Sequence, residues 1–311
     1  MSLYTVLGGG LSGLVFSTLV KNAKAYEKGV PRNPFSTNFG PMWMHATEAT
    51  KTLMAHLELP YVVREKSIGI LWEGEVHKPS DLKDASQIIQ EQYCMKTRKC
   101  YPEDLAEKES VMNFGKETSQ VLIFDQFDFW DKITKNVVVD MPAIEVNKEA
   151  VIFKEHIVLT DKTISTIPLP ILLNMTNNPT LRREAQFLKT TQIVGMGYKT
   201  ETNKFEKYSY VYIPEEKYPF HRLCNGVAEI SCEGMGSVNQ GHTMNMLNEL
   251  GLKEHGEWMI RPLGHFMKHS ADLKTVFDIL EEMEIECLGR YAEWNHKIKF
   301  NNVVERALEV M

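Results

Sequence analysis

Three glycines and one acid near the N-terminus have the types and spacing of a phosphate-and-ribose site. Gly8, Gly10 and Gly13 stand in Gly8-Gly9-Gly10-Leu11-Ser12-Gly13, and Glu27 follows nineteen residues after Gly8. Each position has a physical reason. Gly8 permits a tight turn, Gly10 lets a pyrophosphate reach the backbone, and Gly13 lets a helix pack closely on a strand. A helix starting here presents free N–H groups and the positive end of its dipole to phosphate oxygens. A carboxylate about 20 residues on accepts hydrogen bonds from ribose hydroxyls. This is binding chemistry for an adenine dinucleotide.

The elements that must position these residues are legible around them. Tyr4 to Leu7 is a short apolar run that suits a buried parallel strand, and Leu14 to Val20 is an apolar helical segment. A second strand ends in Ala25-Tyr26-Glu27, and only nine residues, Leu14 to Asn22, separate it from the last glycine, so the helix is short. A lone G-x-G-x-x-G is weak evidence; strand, turn, helix and acid in this order make it a βαβ fingerprint.

Size and composition set the frame. A chain of 311 residues can bury a sizeable core as one large domain or two interleaved ones. Its 43% hydrophobic and 24% charged residues are those of a soluble globular protein. No apolar run approaches the ~18–20 residues of a membrane span, and the N-terminus lacks a basic segment and cleavage site. These features predict a cytoplasmic protein without a membrane partner. Five cysteines without CxxC spacing and ten scattered histidines without HExxH argue against a disulfide framework and a metal site. The net charge of −6 disfavours broad nucleic-acid binding. Lys96, Arg98 and Lys99 in Met95 to Tyr101 read either as a solvated basic face or as an anchor for an anionic substrate.

Along the chain, Gly29 to His45 reads as an irregular loop rich in Pro, Phe and Met, followed by a helix N-capped by Thr47 and ended by Pro60. Strands are expected at Tyr61 to Val63, Ile68 to Trp72, Val137 to Val139, Val151 to Phe153, Ile157 to Leu159 and Thr163 to Ile167. Others are expected at Gln192 to Tyr198, Tyr208 to Ile213 and Val227 to Cys232. Helices are expected at Leu82 to Tyr93, Thr243 to Leu250, Leu273 to Met283 and Asn301 to Val310.

Four separated stretches, in order, resemble the flavoproteins of the amine oxidase, protoporphyrinogen oxidase and UDP-galactopyranose mutase type. VLGGGLSGL with Tyr26-Glu27-Lys28 is similar to their N-terminal FAD fingerprint. Asn38 to His45 resembles the turn against the isoalloxazine, and Lys162 to Leu173 the stretch after the second FAD-contacting strand pair. GRYAEWNH with the following helix is similar to the C-terminal motif that closes over the flavin; YPFHRLC resembles a mutase-like substrate stretch. The chain departs from the family in its shorter length and in lacking a Gly-Gly-Arg turn after the acid, where Arg32 is the basic residue nearest the pyrophosphate.

The resemblance implies an α/β fold: a Rossmann-like FAD-binding domain from 1–60, 120–175 and 285–311, interleaved with an α+β substrate domain from 61–119 and 176–284 that contains an antiparallel sheet. It implies FAD held by Gly8, Gly10, Leu11, Ser12, Gly13, Glu27, Lys28 and Arg32, with Met42, Met44, Thr166, Pro168, Gly289, Arg290, Asn302 and Val303 completing the site. On the substrate side His45 would act as base, orient substrate, or simply pack. Arg222 beside His221 would pair an anion of the substrate or an acid of the chain. The implied activity is oxidation of a C–N bond of an amine, small or tethered to a nucleobase in DNA, with hydride passing to the flavin. The alternatives are a mutase-like rearrangement of a nucleotide sugar and a non-catalytic nucleotide-binding module.

Overall fold

A computed structural model describes residues 3–34, 44–98, 114, 118–200, 204–205, 207–224, 226–267 and 269–311. Tyr4–Leu7 is an inner strand of a four-stranded parallel sheet. Ala23–Tyr26 pairs on one side of it and Lys162–Ser165 on the other, with Ile285–Cys287 beyond. Because side chains alternate across a strand, Val6 and Leu7 enter different cores. Val6 packs with Leu14, Phe16 and Leu19 of the helix Leu11–Leu19 and with Val303, Val304 and Ala307 of the helix Phe300–Val310. Leu7 packs on the other face with Leu169, Leu172, Val276 and Leu280, from the helices Leu169–Met175 and Leu273–Glu282. The expected α/β architecture is thus observed, helices covering both faces of a parallel sheet.

The second sheet is nine-stranded and nearly all antiparallel. Its main path runs Leu252–Arg261, Gln192–Thr200, Val227–Cys232, Arg222–Cys224, Tyr210–Tyr212, Tyr61–Trp72, Thr118–Phe124, Met44–His45. A meander of Ala143–Val146, Ala150–Phe153 and Ile157–Leu159 forms a third sheet.

Several expectations are corrected. The strands at Tyr61 to Val63 and Ile68 to Trp72 are one strand, Tyr61–Trp72. Its polar middle, Arg64 to Ser67, stays in antiparallel register with Val121 to Thr118 and so continues the ladder. Its far end pairs in parallel with Tyr210–Tyr212. The helix expected from Leu82 begins at Ser86 and runs to Arg98, after a 3-10 turn at Pro79–Leu82. The aromatic run Val121 to Trp130 divides at Asp125, whose carboxylate caps a helix over Gln126–Ile133. Val137 to Val139 contributes a single bridge, Val138 to Tyr26. The stretch Lys162 to Leu173 passes from strand into the helix Leu169–Met175, as its resemblance implies, whereas the strand Leu252–Arg261 and the helix Pro179–Ala185 carry no signal strong enough to be read beforehand.

Candidate functional site

The glycine turn follows the first strand directly. Gly8 has φ +107°, which only glycine adopts without strain, and its N–H donates to the carbonyl of Tyr26. A Cβ on Gly13 would lie 2.0 Å from the Gly8 carbonyl oxygen, so the helix sits on the turn as closely as a glycine allows. Thr166, at the end of the neighbouring strand, clamps the turn from its side: its hydroxyl donates to the carbonyl of Leu7 at 2.9 Å. Gly10 is different. It is exposed, and a Cβ there would meet nothing within 4 Å. It caps the helix without any side-chain hydrogen bond, and the first turn carries no acid. Leu11 and Ser12 open that helix, half-buried.

Glu27 lies at the end of the second strand and turns its carboxylate toward the glycines. Oε2 accepts from the Gly9 amide at 2.6 Å and Oε1 from the Lys28 amide at 3.0 Å. A carboxylate has about four lone-pair positions, so two bonds leave acceptor capacity for hydroxyls. Lys28 and Arg32 are exposed beyond it, and Pro168 precedes the helix Leu169–Met175.

A third segment reaches the same place. Gly289, at φ +100°, would bring an added Cβ to 2.8 Å from Ser12 Oγ and 3.7 Å from Val303. The Gly289 amide donates to Glu293, and Arg306 of the last helix holds Glu293 at 2.9 Å and Glu286 at 2.5 Å. Asn302 caps the start of that helix, accepting from the Lys299 amide, while Arg290 donates to the carbonyl of Ile298. The structure thereby gathers Gly8 to Gly13, Glu27, Thr166, Gly289 and Val303 around the N-terminus of the first helix. Met42 lies outside the described residues; Met44 is buried in the core behind that helix.

The residues expected on the substrate side do not form one group. His45 is in the short strand Met44–His45, its Nδ1 3.0 Å from the Ser119 hydroxyl. Four strand positions separate it from Arg222, on the order of 19 Å at ~4.8 Å each. Arg222 grips Glu229 with Nε at 2.8 Å and Nη2 at 2.5 Å, and the fully buried His221 lies beside them, 3.7 Å from the same carboxylate. Burial opposes the charge on Arg222, but the Glu229 carboxylate outweighs it and raises its pKa.

Beyond that pair lies a group whose members reasoning from spacing did not assemble. The rings of His221 and His265 are 5.0 Å apart, those of His265 and His296 5.9 Å. Burial, then the nearby charges of Arg98, Arg222 and Arg290, push His265 down to about 3. Burial, then Arg98, His265 and Arg290, push His296 down to about 2. Arg98, from the basic stretch noted in the sequence, ends the helix Ser86–Arg98 and is 5% exposed. The two imidazoles are thus partly buried, with arginine charge around them that keeps both neutral. Two surface clefts on the second sheet, of about 410 and 330 Å³, are not lined by any residue of the glycine turn.

No protein-family model matches the sequence, and no curated protein matches it. Solved structures do. UDP-galactopyranose mutase in its reduced form superposes with TM-score 0.74 at 14% identity, over 99% of this chain and 93% of that one. A fatty acid isomerase from P. acnes that produces CLA gives 0.66 at 12% identity, over 99% and 97%. Putrescine oxidase bound to putrescine gives 0.60 at 12% identity, over the same shares. At these identities the likeness is one of architecture, and the chain has the fold that the mutase, the isomerase and the oxidase share.

Proposed function

We propose that the protein is an FAD-dependent oxidoreductase acting on a substrate that carries an anionic group, with oxidation of a C–N bond as the reaction. The observation that carries this reading is the convergence at the first helix. A turn closed by Gly8 and Gly13, an open face at Gly10 and an uncapped helix N-terminus face the same point as Glu27 and Gly289. These residues fit FAD: the amides around Gly10 and Ser12 take the pyrophosphate, and Glu27 takes the ribose hydroxyls. Bound FAD supplies a hydride acceptor. The chain's own part is to hold the dinucleotide, orient the substrate and keep water out.

The arginine charge around His265 and His296 selects the substrate's charge. At an effective dielectric of ~20, one cation about 6 Å away costs an ammonium group roughly 3 kcal/mol and stabilises an anion by as much. An amine would thus enter neutral, carried by a carboxylate or phosphate elsewhere in the molecule, as in an amino acid or a nucleobase tethered to DNA. The same potential favours a second reading, rearrangement of a nucleotide sugar without net redox change, with Arg98 holding the diphosphate.

Purified protein should absorb near ~450 nm. Gly10→Val should remove that absorbance and leave the melting temperature of the cofactor-free protein unchanged, since its side chain enters open space. Protein that stays colourless in excess FAD overturns the proposal. Anaerobic mixing with anionic amines should bleach the flavin; activity only after prior reduction, with the flavin still reduced after turnover, selects the mutase reading.

A further inference from the structure

We propose that His296 donates a hydrogen bond from Nδ1 to an oxyanion oxygen of the substrate, an inference that rests on the reading above that the substrate carries an anionic group. The backbone amide of Phe266 donates to His296 Nε2 at 2.9 Å. An amide can only donate, so Nε2 holds the lone pair and the neutral ring carries its hydrogen on Nδ1. The ring is fixed in place. It lies 4.1 Å from the Phe266 ring, which stacks on Trp294 at 4.5 Å and 17°. A proton on Nε2 would break the bond to Phe266 and add charge beside Arg98, His265 and Arg290, the groups that act on it. His296 is therefore locked in one tautomer and one charge state, whereas an unperturbed histidine titrates near neutrality.

Its position suits this work. Seven residues earlier Gly289 touches the glycine turn, and Phe266 lies beside Thr190, which leads into the second sheet. His296 thus sits where the dinucleotide segment crosses to the substrate side. A separate observation points to a ligand here: Nδ1 of the neighbouring His265 is buried and finds no hydrogen-bond partner among the described residues. Charge-assisted donation to an oxyanion is stronger than donation to a neutral acceptor, and a neutral donor gives it without further cation–cation repulsion. Phosphate and carboxylate oxygens share this chemistry, and inorganic pyrophosphate and succinate distinguish them as probes.

Two substitutions separate the donor from the scaffold. His296→Gln keeps an acceptor for the Phe266 amide and places no donor at the Nδ1 position. Its melting temperature should hold, and its affinity for the preferred probe should fall roughly tenfold. His296→Asn keeps a donor near Nδ1 and orphans the amide, so its melting temperature should fall while affinity stays within about threefold. Nitrogen-15 histidine spectra of the full chain should show one Nδ1–H tautomer unchanged from about pH 5 to 9 and displaced by the probe. An Nε2–H tautomer, unchanged affinity in His296→Gln, or equal losses in both variants overturns the inference. Flavin absorbance in the same samples keeps the two readings apart: yellow protein with unaltered anion binding in His296→Gln sinks only this one. Colourless protein sinks the proposed function, while the tautomer is still read from the spectra.

Discussion

One methyl group has opposite consequences at two glycines three residues apart. At Gly13 it would collide with the Gly8 carbonyl oxygen at 2.0 Å, backbone that has nowhere to go. Gly13→Ala should lower the unfolding free energy by about 3 kcal/mol or more, read by urea denaturation. At Gly10 even a valine should leave the stability of the cofactor-free protein intact while removing the cofactor. These positions were legible in the sequence because the requirement for glycine is local: a tight turn and a close helix impose it whatever surrounds them. The histidine group was not legible in the same way. Arg98 was visible as part of a basic stretch, but nothing in its spacing says it is buried, and His265 and His296 meet only after distant segments dock. His221 and Arg222 stood out as neighbours, yet whether the acid they meet belongs to the chain or to a ligand depended on Glu229, seven residues from Arg222 across an antiparallel pair.

Among the elements, the last helix does more than cover the sheet. Its Arg306 ties Glu286, on the edge strand, to Glu293, which holds the Gly289 amide in the turn facing Ser12. Arg306→Met keeps the aliphatic stem and removes the ties. Because the guanidinium is about a third exposed, the loss should be modest, about 1–2 kcal/mol. FAD affinity should weaken along with it if the turn is released, which flavin fluorescence titration measures. Helices and strands with strong apolar periodicity were readable from the chain alone, as the first strand and the last helix show. The strand Tyr61–Trp72 was not read whole because its first half is solvent-exposed and polar in the middle. Ladder pairing with Thr118–Phe124 sets its continuity, and that information lies more than fifty residues away.

Taken as a whole, the molecule holds two partly buried, neutral imidazoles whose pKa values are depressed to about 3 and about 2. In the unfolded chain they titrate near ~6.5. Below that pH the unfolded state binds protons that the folded state refuses, so their contribution is complete above about pH 6.5 and is lost as pH falls toward 3. Each adds a slope of up to roughly 1.4 kcal/mol per pH unit in that window. Urea unfolding at pH 7.5 and pH 5 should show the loss, and His296→Gln should have about half the histidine-dependent slope. The parallel sheet carries a further consequence, for how the molecule is made. Its strand Lys162–Ser165 is bordered on one side by Tyr4–Leu7 and on the other by Ile285–Cys287, which leaves the ribosome long after both. Until then the growing chain holds an open, apolar edge that invites pairing with other chains. Synthesis speed and chaperone supply, more than any point substitution on the surface, should therefore govern how much usable protein a cell accumulates.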